Sequence, residues 1–180
     1  WVPPPVQQKI LDICRDNLDP YGVAFVSFNT FPGWRMRGMI RDMLLYHCQQ
    51  FTEPAMKVKQ ARLLLEFLAK APGNEKTPYG IFLRQELETF QRVSDTYLFH
   101  EPLEENNTPM YFHQFTDMVA AKKLRYLGEV DMRVMTLKTF PPQVQEVLHN
   151  LAVDQIHLEQ YMAFLRNRMF RQALLCDNAN

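Results

Sequence analysis

The first 35 residues contain the pattern that most restricts the fold of this chain. Three prolines at residues 3–5 precede an apolar stripe typical of an amphipathic helix, because the first turn of a helix needs no intrahelical N–H donors. A D-P-Y-G turn leads into an apolar run at residues 23–28, which predicts a buried strand. The strand runs directly into the loop N-T-F-P-G-W at residues 29–34. Helix, buried strand and bent loop form the repeating unit of α/β enzymes, whose ligands bind beyond the carboxyl ends of the strands.

The rest of the sequence predicts mainly helices. Apolar residues recur at helical spacing over about residues 36–52, 54–70, 78–100, 112–123, 141–151 and 154–169. Asp154 is the predicted N-cap of the last of these helices. A second strand is predicted near residues 124–130. Arg166, Arg168 and Arg171 would lie near the end of the last helix, where cations suit the helix dipole; a carboxylate-binding or partner-docking patch is the alternative.

Composition excludes several classes of protein. Twenty basic residues balance twenty acidic ones, which disfavours a broad nucleic-acid interface. No apolar run reaches the ~18 residues that span a bilayer, and no signal peptide opens the chain, so we expect neither a membrane segment nor secretion. The three cysteines are odd in number and widely spaced, which predicts reduced thiols in a cytoplasmic protein.

The sequence contains few signs of chemistry of its own. Glu146 and His149 have the E-x-x-H spacing of di-iron helical bundles, but no second pair occurs, so we predict no metal site. The nucleophile-elbow pattern G-x-S-x-G is absent, and so is any G-x-G pattern. From the residues alone we predict no catalytic group in this chain.

Several stretches nevertheless resemble a bacterial methyltransferase family. They are residues 23–47 (V-A-F-V-S-F-N-T-F-P-G-W-R-M-R-G-M-I-R-D-M-L-L-Y-H), 100–115 (H-E-P-L-E-E-N-N-T-P-M-Y-F-H-Q-F), 124–129 (L-R-Y-L-G-E) and 159–176 (E-Q-Y-M-A-F-L-R-N-R-M-F-R-Q-A-L-L-C). That family carries a predicted methyltransferase regulatory domain and includes rickettsial outer-membrane-protein lysine methyltransferases. The resemblance extends over nearly the whole chain.

The resemblance implies a class I methyltransferase domain upstream, with a doubly wound sheet. Residues 1–34 would be its C-terminal helix–strand piece, with Trp1 following the fourth strand, and residues 35–180 a helical regulatory domain. The fold class that we predict is therefore mainly α with about two β-strands, attached to the C-terminal edge of a class I methyltransferase sheet. The glycine-rich loop and the acidic residue that hold the cofactor in such domains are not in this chain. We expect S-adenosylmethionine to bind the full-length protein but not this fragment.

Candidate site residues follow from the same resemblance and from the loop itself. Methyl transfer to lysine needs a neutral amine aimed at the methyl group, although the pKa of a lysine side chain in water is about 10.4. The candidates for lining the substrate channel are Asn29, Thr30, Pro32, Gly33, Trp34, Tyr111 and His113. Two structural alternatives stay open. The loop could simply reverse the chain with Trp34 in the core, and Tyr111 could anchor a loop while His113 lies at a helix start.

We therefore expect the regulatory or substrate-channel region of a protein lysine-type methyltransferase, not catalytic by itself. Its expected partners are the upstream methyltransferase domain of the same polypeptide and a protein substrate, with no nucleic acid and no membrane. The alternative is a helical scaffold for protein–protein interaction or for a homodimer, without a role in chemistry.

Overall fold

The structure is a computed structural model that describes residues 2–178. The described chain divides into two compact units. Residues 36–107 form one, which we call the helical unit, and residues 2–35 together with 108–178 form the other, which we call the sheet unit. The helices are α1 (Pro4–Asn17), α2 (Trp34–Cys48), α3 (Pro54–Lys70), α4 (Pro78–Arg92), α5 (Asp95–His100), α6 (Phe112–Ala120), α7 (Pro142–Leu151) and α8 (Gln155–Leu165). The strands are β1 (Ala24–Asn29), β2 (Leu124–Glu129) and β3 (Phe170–Asp177), and 3₁₀ turns span Met132–Met135 and Leu137–Thr139.

The sheet unit is built on a three-stranded sheet in the order β1-β3-β2. Both outer strands pair antiparallel with β3, in registers that place Asn29 opposite Phe170 and Glu129 opposite Ala173. Because β1 and β2 both oppose β3, they run parallel to each other. Their carboxyl ends, Asn29 and Glu129, therefore lie at the same end of the sheet.

Helices α1 and α6 contribute to the core of the sheet unit. Alternate residues of β1, Val26 and Phe28, point to this core, and Phe28 stacks on Phe115 of α6 with ring centroids 4.1 Å apart. This period of two is what a strand with one covered face requires. The fully buried members of the core are Leu11, Phe112, Phe115, Val119, Leu124, Ala173 and Leu175.

The helical unit has a core of its own. Along α3 the buried residues Val58, Ala61, Leu65 and Ala69 recur at the spacing of one helix face. They pack with buried residues of α2, of α4 and α5, and of the segment after α5, namely Ile40, Leu44, Cys48, Leu83, Phe90, Leu98 and Leu103. Every buried member of this cluster lies between residues 40 and 103.

The predicted fold class is confirmed: the chain is mainly α with a small sheet. The helix predicted at residues 54–70 has those bounds, and Asp154 caps α8 by accepting a hydrogen bond from the His157 N–H at 2.8 Å. The single helix predicted over residues 78–100 is instead α4 and α5, because Ser94 starts a new helix as the N-cap of α5. The assignment of residues 1–34 to a methyltransferase domain and of 35–180 to a regulatory domain stays a prediction. Trp1 lies outside the described residues.

One predicted element is wrong. The last helix ends at Leu165, and Phe170–Asp177 form the central strand β3 instead of a helical continuation. In β3 the buried positions 171, 173 and 175 alternate with more exposed ones, and this strand supplies all the ladder contacts that β1 and β2 make. The pairing of β3 with a strand on each side therefore outweighs the helical spacing of apolar residues that precedes it.

Within residues 2–178, no helix combines the length and the apolar character that crossing a bilayer requires.

Candidate functional site

The loop at residues 29–34 lies at the carboxyl end of β1 and is bonded to the segment that precedes α6. The hydroxyl of Thr30 donates to the Met110 carbonyl at 2.8 Å, and the Phe31 N–H donates to the same carbonyl at 3.2 Å. In return, the Met110 N–H donates to the Asn29 carbonyl at 3.3 Å. Residues distant in sequence are thereby held side by side, and the peptide bond between Phe31 and Pro32 is cis.

The other side of the loop is bonded to the connection between α8 and β3. The Thr30 N–H donates to the Met169 carbonyl at 2.9 Å, and the Gly33 N–H donates to the Arg168 carbonyl at 3.0 Å. A Cβ atom on Gly33 would lie 2.2 Å from the carbonyl oxygen of Asn167, which is closer than any side chain permits. Gly33 is therefore required for this close approach of two backbone segments.

The α8–β3 connection has a defined backbone geometry of its own. Asn167 has a φ of 48°, in the left-handed region that ends many helices. Its N–H donates to the Phe164 carbonyl at 3.2 Å, and the Arg168 N–H donates to the Ala163 carbonyl at 3.0 Å. This is the Schellman arrangement, which turns the chain out of α8 and presents the next carbonyls to the loop.

Aromatic rings join the loop to the start of α6. Tyr111 contacts Phe31, with ring centroids 5.2 Å apart, and stacks on His113 at 5.6 Å. The edge of Phe164 meets Tyr111 at 6.0 Å, and the Arg35 guanidinium lies 4.1 Å above the Phe31 ring. We call Phe31, Tyr111, His113 and Phe164 the aromatic group.

The hydrogen bonds of His113 define its tautomer. The side-chain oxygen of Gln160 accepts the His113 backbone N–H at 3.2 Å and lies 3.1 Å from His113 Nδ1. Because an oxygen that accepts both contacts needs a proton on Nδ1, the neutral ring keeps its lone pair on Nε2. His113 is exposed, so the ring that carries this lone pair on Nε2 is accessible to solvent.

A groove of about 600 Å³ runs beside His113 between α6 and α8. It is lined by His113, Thr116, Asp117, Asp154, His157 and Gln160, together with Ala120 and Ile156. The groove therefore offers room for a ligand next to the histidine, and its lining carries carboxylates without any lysine or arginine.

A buried ion cluster lies behind the loop. The guanidinium of Arg171, which is 1% exposed, contacts Glu129 at 2.6 Å and Glu159 at 3.1 Å. Arg168 contacts the other oxygen of Glu129 at 2.7 Å, and the Tyr126 hydroxyl donates to Glu159 at 2.9 Å. The two carboxylates and two guanidinium groups balance, as buried charges must if they are to be tolerated.

The surroundings shift the pKa of two side chains in this cluster. Burial, reinforced by the charges of Glu159 and Glu129, raises the pKa of the Tyr126 hydroxyl, so that it remains a protonated donor. Burial and the charge of Arg171 lower the pKa of the Arg168 guanidinium, and Glu129 opposes that shift. Of the three arginines predicted near the end of the last helix, Arg166 is the C-cap of α8, whereas Arg168 and Arg171 lie beyond the helix and bind carboxylates of the chain itself.

The structure brings the predicted loop residues next to Tyr111 and His113. Thr30, Gly33 and Trp34 are buried, whereas Asn29, Pro32 and Tyr111 are half-buried and His113 is exposed. Sequence reasoning missed Gln160, which orients His113, and it missed Glu129 altogether. A single polar residue inside an apolar helix or strand gives no local sign of its partner.

The residues present do not fit a cofactor site for S-adenosylmethionine. Such sites use a glycine-rich turn between a strand and a helix, and Gly33 stands in that position between β1 and α2. Its open side is filled by the backbone of Asn167 and Arg168, which leaves no cradle for a ligand. Among residues 2–178 there is also no group of three or more His, Cys, Asp or Glu side chains that could hold a metal ion.

Residues 94–177 match the family described as "Predicted methyltransferase regulatory domain". This part of the chain is similar to that domain. The resemblance inferred from the sequence is therefore confirmed.

A relative from a bacterium extends the match to nearly the whole chain. Uncharacterized protein RP789 of Rickettsia prowazekii (strain Madrid E) is 43% identical over 178 residues, which cover 99% of this chain and 32% of that protein. Uncharacterized protein RP028 of the same organism is 42% identical over 71% of this chain and 51% of its own length. This chain thus spans between about a third and a half of these relatives.

Solved structures of PKMT2 from Rickettsia typhi have the same fold over all of this chain. One has a TM-score of 0.84 at 41% identity, and one in complex with AdoHcy has a TM-score of 0.86 at 42% identity. In both, the match covers 100% of this chain and 34% of PKMT2.

Proposed function

We propose that this chain is the part of a protein lysine methyltransferase that forms one wall of the substrate channel and does not bind the cofactor. The observation that carries the proposal is the position of the aromatic group at the carboxyl end of β1, against the loop at residues 29–34. The carboxyl ends of β1 and β2 lie at the same end of the sheet, on either side of β3. In parallel α/β sheets, the carboxyl ends of the strands are where ligands bind.

The exposed apolar surface of the sheet unit supports an upstream domain as the partner. Among the described residues, β1 pairs on one side only, and Phe25 on this edge strand is 55% exposed. Three apolar residues along α1, Val6, Ile10 and Ile13, are exposed as well. An open strand edge beside an apolar helix face is unfavourable in water, and further strands of the same polypeptide would cover both.

His113 supplies the chemistry that the channel needs. A substrate lysine is mostly protonated at neutral pH and must lose a proton before its nitrogen can attack. The Nε2 lone pair of His113 is suited to accept a hydrogen bond or a proton from that ammonium group, while Gln160 fixes the ring. Tyr111, stacked on His113, would form the apolar wall beside it.

The cofactor is assigned to residues outside this chain. The solved relative PKMT2 forms a complex with AdoHcy, and this chain matches only 34% of PKMT2. S-adenosylmethionine would supply the methyl group from a site in the upstream domain. This chain would orient the acceptor amine and receive its proton.

The proposal is tested by His113→Ala in the full-length protein. The assay measures transfer of tritium-labelled methyl from S-adenosylmethionine to a library of lysine-centred peptides. Loss of a positioned proton acceptor typically costs about 10²–10⁴-fold in rate, so we expect turnover to fall within that range. The matched control is His149→Ala, an exposed histidine of α7 outside the aromatic group and the groove. Unchanged turnover in a folded His113→Ala protein would remove His113 from the proposed channel.

A scaffold for protein–protein interaction is the second candidate. The outer face of α3 carries Met56, Leu63 and Phe67, which are 40%, 49% and 68% exposed. Exposed apolar residues in a row favour docking of another protein. The His113→Ala experiment separates the two candidates, because a chain that acts only as a scaffold would leave methyl transfer unchanged.

A further inference from the structure

Arg168 connects the loop to the buried ion cluster through two different groups. Its backbone carbonyl accepts the Gly33 N–H at 3.0 Å, and its guanidinium contacts Glu129 at 2.7 Å. The next carbonyl, that of Met169, accepts the Thr30 N–H at 2.9 Å. The position of the Arg168 side chain and the position of the loop are therefore linked through one short backbone segment.

Glu129 is a rigid anchor for this segment. It is 2% exposed and ends β2, and its oxygens also receive Arg171 at 2.6 Å and the Gln172 N–H at 3.2 Å. A carboxylate held by so many donors has little freedom to move. Glu129 therefore holds the guanidinium of an arginine bound to it in a fixed position relative to the sheet.

We propose that Arg168 is a positioning residue whose ion pair with Glu129 fixes the carbonyls that hold the loop at residues 29–34. The importance of the loop for methyl transfer rests on the function proposed above, whereas its attachment to Arg168 does not. Arg168 acts through the loop and need not touch the substrate.

The chemistry of the pair allows a selective test. Arg168 is at the border of the ion cluster, with 16% of its side chain exposed, whereas the side chain of Arg171 has no exposed surface. Removing Arg171 would leave the buried carboxylate of Glu159 without its arginine and would threaten the whole fold. Arg168→Ala removes one contact of Glu129, leaves Arg171 in place and keeps the backbone carbonyl at position 168.

The experiment follows amide hydrogen exchange of the full-length protein at residues 30 and 33, with thermal stability as a second measurement. In Arg168→Ala we expect these amides to exchange about tenfold faster or more, which corresponds to a loss of about 1.4 kcal/mol of local protection. Arg168→Lys should restore most of the protection, because one nitrogen makes the contact with Glu129. Arg133→Ala is the matched control, since it removes an exposed ion pair with Asp131 near the end of β2 and should leave these amides unchanged.

Kinetic measurements on the same variants show whether the attachment of the loop to Arg168 matters for methyl transfer. We expect kcat with lysine-centred peptides to fall about tenfold in Arg168→Ala, with an unchanged KM for S-adenosylmethionine, because a misplaced channel wall affects the acceptor and not the cofactor. Unchanged exchange at residues 30 and 33 in Arg168→Ala, or failure of Arg168→Lys to restore it, would overturn the proposal. Faster exchange with unchanged kcat would keep the positioning of the loop and overturn its proposed role in methyl transfer.

Should Arg168→Ala fail to fold, Arg168→Gln is the substitute, because it keeps part of the side chain and removes the charge that pairs with Glu129. We then expect its amides at residues 30 and 33 to exchange faster than those of Arg168→Lys, and equal rates in the two variants would contradict the proposal.

Discussion

Gly33 and Asn167 meet where the loop at residues 29–34 crosses the end of α8. Each has a backbone requirement that a different residue would not meet easily: Gly33 has no room for a Cβ atom, and Asn167 has a positive φ. Asparagine is among the few residues besides glycine that adopt this conformation at low cost. The geometry of the candidate site thus depends first on single backbone positions and only then on functional side chains.

Gly33→Ala should lower the free energy of unfolding by about 2–3 kcal/mol, because the added methyl group forces two bonded backbone segments apart. Gly38→Ala is the control: it lies within α2 with nothing inside 4 Å of the added Cβ. Since alanine favours a helix more than glycine does, Gly38→Ala should raise the free energy of unfolding by about 0.5–1 kcal/mol. Urea denaturation measures both, and equal midpoints for the two variants would contradict this account of Gly33.

At the level of elements, the stretch from Glu159 to Cys176 shows why a local pattern can mislead. Its first part is helical, and apolar residues at helical spacing continue as far as Met169. From residue 171 the buried positions instead recur with a period of two, because β3 pairs on both sides. The run R-Q-A-L-L has no alternation of polar and apolar residues, and the charged Arg171 stands at a buried position, so the sequence does not show the change.

Helix α3 is the opposite case, because its local pattern and its packing agree. Leu65 is fully buried, and Leu65→Ala should cost about 2–5 kcal/mol by leaving a cavity. Leu63, on the same helix, is 49% exposed, and Leu63→Ala should change the stability by about 0.5 kcal/mol or less. Thermal unfolding followed by circular dichroism compares the two. A Leu63→Ala protein as unstable as Leu65→Ala would show that the outer face of α3 is covered.

At the scale of the whole molecule, the helical unit lies, in the order of the sequence, between the two segments of the sheet unit. The chain leaves the sheet unit after residue 35 and returns at residue 108, and Thr30 and Met110 are directly bonded within the sheet unit. The two apolar cores share no residue. Each unit therefore has an apolar core of its own.

Replacing residues 36–107 with a short glycine–serine linker should leave the sheet unit folded in the full-length protein. The reason is that every residue of its core lies outside the deleted segment. We expect the amides of β3 to keep their slow hydrogen exchange in this variant, because the strand retains both partners. Leu65→Ala, which weakens only the core of the helical unit, serves as the comparison. Rapid exchange throughout β3 after the replacement would mean that the sheet unit depends on the helices.

The candidate site was partly visible in the sequence. The loop at residues 29–34 was recognisable because an apolar strand followed by Pro32-Gly33 is a local pattern, and Tyr111 and His113 were found through a resemblance. The prediction that this strand is buried was wrong, because β1 is an outer strand without a fully buried residue. The partners that give those residues their chemistry were not visible. Gln160 orients His113 and Glu129 anchors Arg168 only because the chain brings them together from distant positions.

The sequence by itself determined most helices, the strands β1 and β2, and the loop between β1 and α2, because each follows from spacing and turn residues within a short window. Only the tertiary structure decided that β3 is a strand, that Arg168 and Arg171 bind carboxylates of the chain itself, and that the backbone of Asn167 and Arg168 packs against Gly33. Burial and strand pairing are properties of contacts between distant segments, and they can outweigh the small free-energy differences by which local sequence favours one conformation.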